Sequence, residues 1–213
     1  MRIDAVCWDW NGTLLDDVEV CRQTMNRVLT EHGHPEVPDL ASYRRVFRFP
    51  IRAFYADLGI DEPAYPVAAN RYLALLSEAI PAAALHPGAH AALRLLAGRG
   101  LRQILASATV TSTLHAQLRP HGVVTSFSEV LGIDDAHEAS KHDVSASWLD
   151  ASGLSPKRVV MVGDTNHDHE IAQALGMRFV HFTGGHQQLE ESGVQHVDSL
   201  AELASLFGTE GLS

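Results

Sequence analysis

The chain has 213 residues, 46% apolar and 20% charged, which suits one large globular domain or a core domain with a smaller insertion. Sixteen Lys and Arg against 26 Asp and Glu give a formal net charge of -10, with no basic run to offset it, so nucleic acid and anionic membranes are poor partners. Cys7 and Cys21 are the two cysteines and read as buried thiols, and with no leader-like stretch or membrane-length apolar run, a cytoplasmic location is expected.

Residues 3–8 are an apolar run that reads as a buried strand, ending in Asp9-Trp10-Asn11-Gly12-Thr13-Leu14. Gly12 lets the chain turn sharply there. A carboxylate at such a strand end serves as a nucleophile or a metal ligand. Residues 16–85 then break the strand pattern. Helical spacing covers 17–31, 40–46, 51–58 and 64–79, with breaks at Pro35-Glu36-Val37-Pro38, Phe49-Pro50 and Gly59-Ile60-Asp61-Glu62-Pro63. Asp16 and Asp17 read first as the N-cap of the opening helix. An all-helical insertion after the first strand has the character of a cap, and Pro81 and Pro87-Gly88 mark its return.

From there strands and helices alternate. Strands are expected at 102–107, 128–131, 158–163 and 179–182, and helices at 89–97, 111–118, 144–149, 171–175 and 200–206. The alternation predicts an α/β core of about five parallel strands. Three stretches near strand ends carry chemistry. Ser107 ends the second strand, Lys141 opens a helix after Ser140, and Gly163-Asp164-Thr165-Asn166-His167-Asp168 ends the fourth strand. In a parallel sheet such ends converge on one crevice. An acid, a hydroxyl, an ammonium and an acid pair gathered there suit phosphate with a divalent cation. Taken singly, each has a plainer reading: Ser107 as an N-cap, Lys141 as a solvated lysine like Lys157, Asp168 as a first-turn acid. Most of the thirteen histidines are expected on the surface, His167 among them.

The order Asp-x-x-Gly-Thr, Ser, Lys, Gly-Asp-x-x-x-Asp resembles the haloacid dehalogenase superfamily, most of whose members are phosphatases. Leu85-His86-Pro87-Gly88 and Gly132-Ile133-Asp134-Asp135 extend the likeness. Phe47-Arg48-Phe49-Pro50 and Tyr55-Ala56-Asp57-Leu58-Gly59 are similar to the helical cap of phosphoglycolate-phosphatase-like members. The resemblance implies a Rossmann-like parallel-sheet core at 1–15 and 86–213 and a helical cap at 16–85. It further implies a Mg²⁺-dependent phosphohydrolase acting on a small phosphorylated metabolite through an aspartyl-phosphate on Asp9. Mg²⁺ would be held by the Asp9 carboxylate, the Asn11 backbone carbonyl and Asp164. Ser107 and Lys141 would hold the phosphoryl group, with Gly12, Thr13 and Ala108 around its oxygens and Asp168 behind Lys141. Arg44, Arg45, Arg48 and Arg52 are either contacts for a second anionic group or ordinary surface charges.

Asn11 departs from the pattern, because most phosphatases of the superfamily have a second Asp there as general acid and base. An amide cannot donate or accept a proton at neutral pH. Three expectations stand side by side. The acid comes from the cap, from His167 or from the substrate; or the substrate has a good leaving group, such as an acyl phosphate; or the protein binds a phosphate ligand or a partner without turnover. Phosphonoacetaldehyde hydrolases use a cap lysine that is missing here. Metal-free dehalogenases lack the Asp164 and Asp168 pair in this form, so both branches are disfavoured.

Overall fold

The computed structural model describes residues 2–134, 140–189 and 193–207; Asp135 of the Gly132-to-Asp135 stretch lies outside them. The apolar run that opens the chain becomes β1 (Ala5–Trp8), every residue of it buried. A strand flanked on both sides and covered on both faces requires such a run. Its neighbours are β4 (Arg102–Val110) and β6 (Val159–Gly163), with β5 (Glu129–Ile133) outside β4 and β7 (Arg178–Phe182) and β8 (His196–Val197) outside β6. All pairings in the sheet are parallel.

Side-chain alternation sorts the two faces. Val6, Trp8, Val160 and Val162 share one core with Leu93 and Leu96 of α5 (Ala89–Gly98) and Leu114 and Leu118 of α6 (Thr111–Leu118). Ala5, Cys7, Val159 and Met161 face the other way, onto Trp148 and Leu149 of α7 (Lys141–Ser152) and Ile171 and Ala172 of α8 (Asn166–Ala174). Helices on both faces of a parallel sheet make this an α/β, Rossmann-like core. The chain leaves β1 for β4 and β5 on one side and returns to β6 on the other. Strand order therefore reverses beside β1, the usual place for a ligand crevice.

Between β2 (Leu15–Asp16) and β3 (Ala84–Leu85), which pair antiparallel, run α1 (Val18–Glu31), α2 (Leu40–Val46), α3 (Ile51–Asp57) and α4 (Tyr65–Ala79). They bury a cluster of their own, with Met25, Val28, Leu29, Tyr43, Phe54, Ile60 and Leu75 at its centre. Among the described residues no helix is long and apolar enough to cross a membrane. Both cysteines are free and buried.

Several boundaries differ from the sequence pattern, for local reasons. Strand β8 makes six parallel strands instead of about five, and β2, β3 and β8 have two residues each, too few for a period to register. Helices α7 and α8 start earlier than their apolar positions because capping boxes open them: Ser140 with Asp143, and Thr165 with Asp168. Strand β4 runs past Ser107 to Val110, with a register shift against β5 between Ala106 and Val110. Residues 200–206 split into a 3₁₀ turn and α9 (Leu203–Leu206). One reading needs correction: Asp17 precedes α1 but its side chain makes no cap hydrogen bond. Most of the described histidines are at least partly exposed, as expected, while His86, His181 and His186 are buried.

Candidate active site

Asp9 follows β1 directly, and its backbone N–H donates to the Val162 carbonyl of β6 at 2.9 Å. That bond ties the end of the first strand to the strand that Asp164 follows. Lys141 is the first residue of α7, which packs on the face of the sheet that carries Ala5 and Cys7. Its ammonium is buried and pairs with Asp9 Oδ1 and, at 2.5 Å, with Asp168 Oδ1. Burial alone would lower the lysine's pKa, but the charges of Asp168 and Asp9 outweigh it and hold the ammonium above its usual range. Asp168 also accepts the N–H and hydroxyl of Thr165. Asp168 thus caps α8 and also pairs with Lys141.

The carboxylates outnumber the ammonium. Burial pushes Asp9 up to about 6 against the pull of Lys141. Burial also raises Asp164 well above the usual carboxylate range, the nearby Asp9 and Asp168 adding to it and His186 opposing. Asp9 Oδ2 is buried without a hydrogen-bond partner, and oxygens of Asp9, Asp164 and Asp168 lie within 4.8 Å of one another. An orphaned anionic oxygen amid hard oxygen donors fits a small divalent cation.

Asp164 is fixed from three sides. Thr13 donates its hydroxyl to Oδ1 at 3.1 Å and the His186 N–H donates to Oδ2 at 2.6 Å. A Cβ on Gly185 would stand 2.2 Å from Asp164 Cβ and Oδ2, and one on Gly12, at φ +79, 2.2 Å from Oδ2. Gly185→Ala is therefore expected to displace the carboxylate and lower kcat/KM by about 100-fold, since a misplacement of about 1 Å can cost that much. Near-wild-type kinetics in that variant would mean Asp164 is not needed where it stands.

The opening loop uses its own N–H groups. Gly12 donates to the Leu15 carbonyl at 3.0 Å and to Asp17 Oδ1 at 2.8 Å, and Thr13 donates to the Trp10 carbonyl at 3.3 Å. The backbone donors expected to cradle phosphate at these two positions are thus engaged within the loop. Ser107 is buried in β4 and is no N-cap; its hydroxyl donates to Thr109 Oγ1 at 3.0 Å and accepts the Thr109 N–H at 3.1 Å. Ala108 beside it is exposed. Asp9, Asn11, Ser107, Ala108, Lys141, Asp164 and Asp168 all line one cavity of about 690 Å³.

Asn11 is oriented at both ends of its amide. It accepts from Thr109 Oγ1 at 3.1 Å and donates to Asp17 Oδ2 at 2.8 Å. Asp17 also accepts from His186 Nε2 at 3.1 Å. Burial would lower the His186 pKa, but Asp17 foremost, with Asp164 and Asp9, raises it to about 9; reciprocally the imidazolium overcomes burial to hold Asp17 below the usual carboxylate range. This buried ion pair escaped the sequence reading. An acid beside a helix start has the look of a cap, and the available signal for His186 was Gly184-Gly185 before it, a mark of close backbone approach.

The arginines of α2 and α3 and the turn between them do not line the cavity. Arg44 donates to the Gly185 and Gly184 carbonyls at 2.7 Å each, Arg45 to Ser42, Arg48 to Asp57, and Arg52 to Glu62. His167 is half-buried instead of fully exposed and stacks on Phe49 with 4.9 Å between ring centroids, so an aromatic from the segment between α2 and α3 covers the start of α8.

The sequence profile of the haloacid dehalogenase-like hydrolases matches residues 6–182. The chain is 26% identical to phosphoglycolate phosphatase of Rhodospirillum rubrum, over 95% of this chain and 88% of that protein. It is 25% identical to phosphoglycolate phosphatase of Synechococcus elongatus, over 86% and 85%. Among solved structures it is similar to protein tyrosine kinase A of Mycobacterium tuberculosis, with a TM-score of 0.81 and 25% identity over 97% of this chain and 99% of that one.

Proposed function

The chain belongs to the haloacid dehalogenase-like hydrolase family, and from that premise we propose a Mg²⁺-dependent phosphohydrolase that cleaves small organic phosphates through an aspartyl-phosphate on Asp9. The observation that carries this reading is the buried Asp9–Lys141–Asp168 arrangement with Asp9 Oδ2 left unpartnered. Residues 1–15 and 86–213 form the catalytic core in this reading, and 16–85 the cap that sets the substrate.

Mg²⁺ held by the Asp9 carboxylate, the Asn11 backbone carbonyl and Asp164 would offset the repulsion between an anionic nucleophile and an anionic phosphate. Asp9 attacks phosphorus through one carboxylate oxygen. Lys141 neutralises charge on the transferring group while Asp168 holds its ammonium in line. Ser107 donates its hydroxyl to a phosphoryl oxygen once it releases Thr109. Asn11 holds position but moves no proton.

The test is release of inorganic phosphate from a panel of phosphate esters and acyl phosphates, without any acceptor protein. Chelation of divalent ions is expected to lower turnover by about 100-fold or more, and added Mg²⁺ to restore it. Activity indifferent to chelator would remove the metal from this scheme. Complete inertness towards the panel would instead favour a phosphate-binding protein.

A further inference from the structure

The cavity above Asp9 has a chemistry that its catalytic end does not require. Phe47, Phe49, Tyr72 and Leu76 of the helical segment line it. So do Leu73 and Val110, which are 61% and 36% exposed and are two of the large hydrophobics left open to solvent. All sixteen Lys and Arg of the chain lie among the described residues, and of these Lys141 alone lines the cavity, already paired with Asp9 and Asp168. Among its histidines, His186 is committed to Asp17, and burial lowers the pKa of both His121 and His167. A substrate carrying a carboxylate beyond its phosphate would find no cation to meet it, and an unpaired charge in an apolar wall is costly.

Resting on the phosphohydrolase reading, we infer that the substrate class is the phosphate monoester of an uncharged aromatic alcohol. Two independent features converge on it. The cavity, at about 690 Å³, is of a size that takes drug-sized ligands, and its walls offer aromatic faces and aliphatic surface. Asn11, held by Thr109 and Asp17, has no proton for the departing oxygen. An alkyl alcohol leaving unprotonated is nearly as basic as hydroxide, whose conjugate acid has a pKa of about 15.7. A phenol, at about 10 like the tyrosine side chain, leaves without help.

The step balances without an acid at position 11. An Asp9 oxygen bonds to phosphorus as the bond from phosphorus to the aryl oxygen breaks, and the electron pair departs on that oxygen as phenolate. Water then attacks the phosphorus. The bond from phosphorus to Asp9 breaks and its electron pair returns to the carboxylate. The proton that water loses ends on the phenolate, giving phenol and hydrogen phosphate.

The experiment measures kcat/KM of the wild-type protein with Mg²⁺ for phenyl phosphate, 2-naphthyl phosphate, 4-carboxyphenyl phosphate, glycerol phosphate and 2-phosphoglycolate, with acetyl phosphate as a test of bare phosphoryl transfer. Phenyl and naphthyl phosphates are expected to exceed glycerol phosphate and 2-phosphoglycolate by roughly 100-fold. The 4-carboxyphenyl ester has a better leaving group than phenyl phosphate, so intrinsic reactivity favours it. The cation-free wall is expected to reverse that order by about tenfold. A 4-carboxyphenyl ester turned over faster than phenyl phosphate, or 2-phosphoglycolate as the best substrate, would overturn the aromatic class while leaving the phosphohydrolase intact. If no compound, acetyl phosphate included, releases phosphate, the phosphohydrolase reading fails and the substrate class falls with it.

Discussion

Asp9→Asn is expected to lower phosphate release by about 10⁴-fold or more, to background, while the protein melts at the same temperature or higher when no divalent ion is added. The two readouts move apart for one reason. As a nucleophile the carboxylate has no substitute, because the isosteric amide cannot form the acyl-phosphate bond. As a structural element it is a liability. Asp9, Asp164 and Asp168 crowd together around one ammonium, Asp9 Oδ2 has no partner, and burial already drives the Asp9 carboxyl up to about 6. An amide in its place removes a buried anion from a cluster with too many, and Lys141 keeps Asp168 as its counter-ion. Phosphate release with thermal denaturation on the same preparation checks both. Turnover that survives Asp9→Asn would end the covalent scheme; a large drop in melting temperature would mean that Asp9 is held for structure.

Asp9, Lys141 and Asp164 were legible in the sequence because each sits where a regular element stops or starts, and such ends are written locally; Ser107 lies inside β4 instead. Asp9 follows four buried apolar residues, Asp164 follows a fully buried strand, and Lys141 follows the serine that caps its helix. Parallel strand ends must meet, so reading the elements was enough to bring the residues together. What stayed hidden depends on orientation within a loop. Nothing in the spacing says that Gly12 and Thr13 spend their N–H groups inside the turn, or that Asp17 faces inward to His186, 169 positions away. The arginines at 44, 45, 48 and 52 were ambiguous for the same kind of reason. A run of basic residues at helical spacing looks alike whether it faces a ligand, an acid on the next turn or, as with Arg44, a pair of carbonyls.

Asn11→Asp is expected to raise turnover of alkyl phosphates by about 10²-fold or more, the lower end of what general acid–base catalysis supplies, and to raise aryl esters far less. The environment is ready for an acid. Thr109 can donate its hydroxyl to a carboxylate oxygen as it now does to the amide oxygen. The other oxygen would replace an amide nitrogen that stands 2.8 Å from Asp17 Oδ2. Two carboxyl groups at that separation cannot both be ionised without a large penalty, so they share a proton. That proton is what a departing alkoxide lacks in the wild-type site. The contrast with aryl esters isolates the cause, because a phenolate leaves unaided and gains little from a donor. Asn11→Ala serves as the control: it breaks the same two hydrogen bonds without adding a proton, so it should raise neither class of ester. Equal gains for alkyl and aryl esters would point to repositioning of the loop instead of acid catalysis. No gain at all would mean that the wild-type site already draws its proton elsewhere, and His167, half-buried against Phe49 at the cavity wall, would be the next residue to replace.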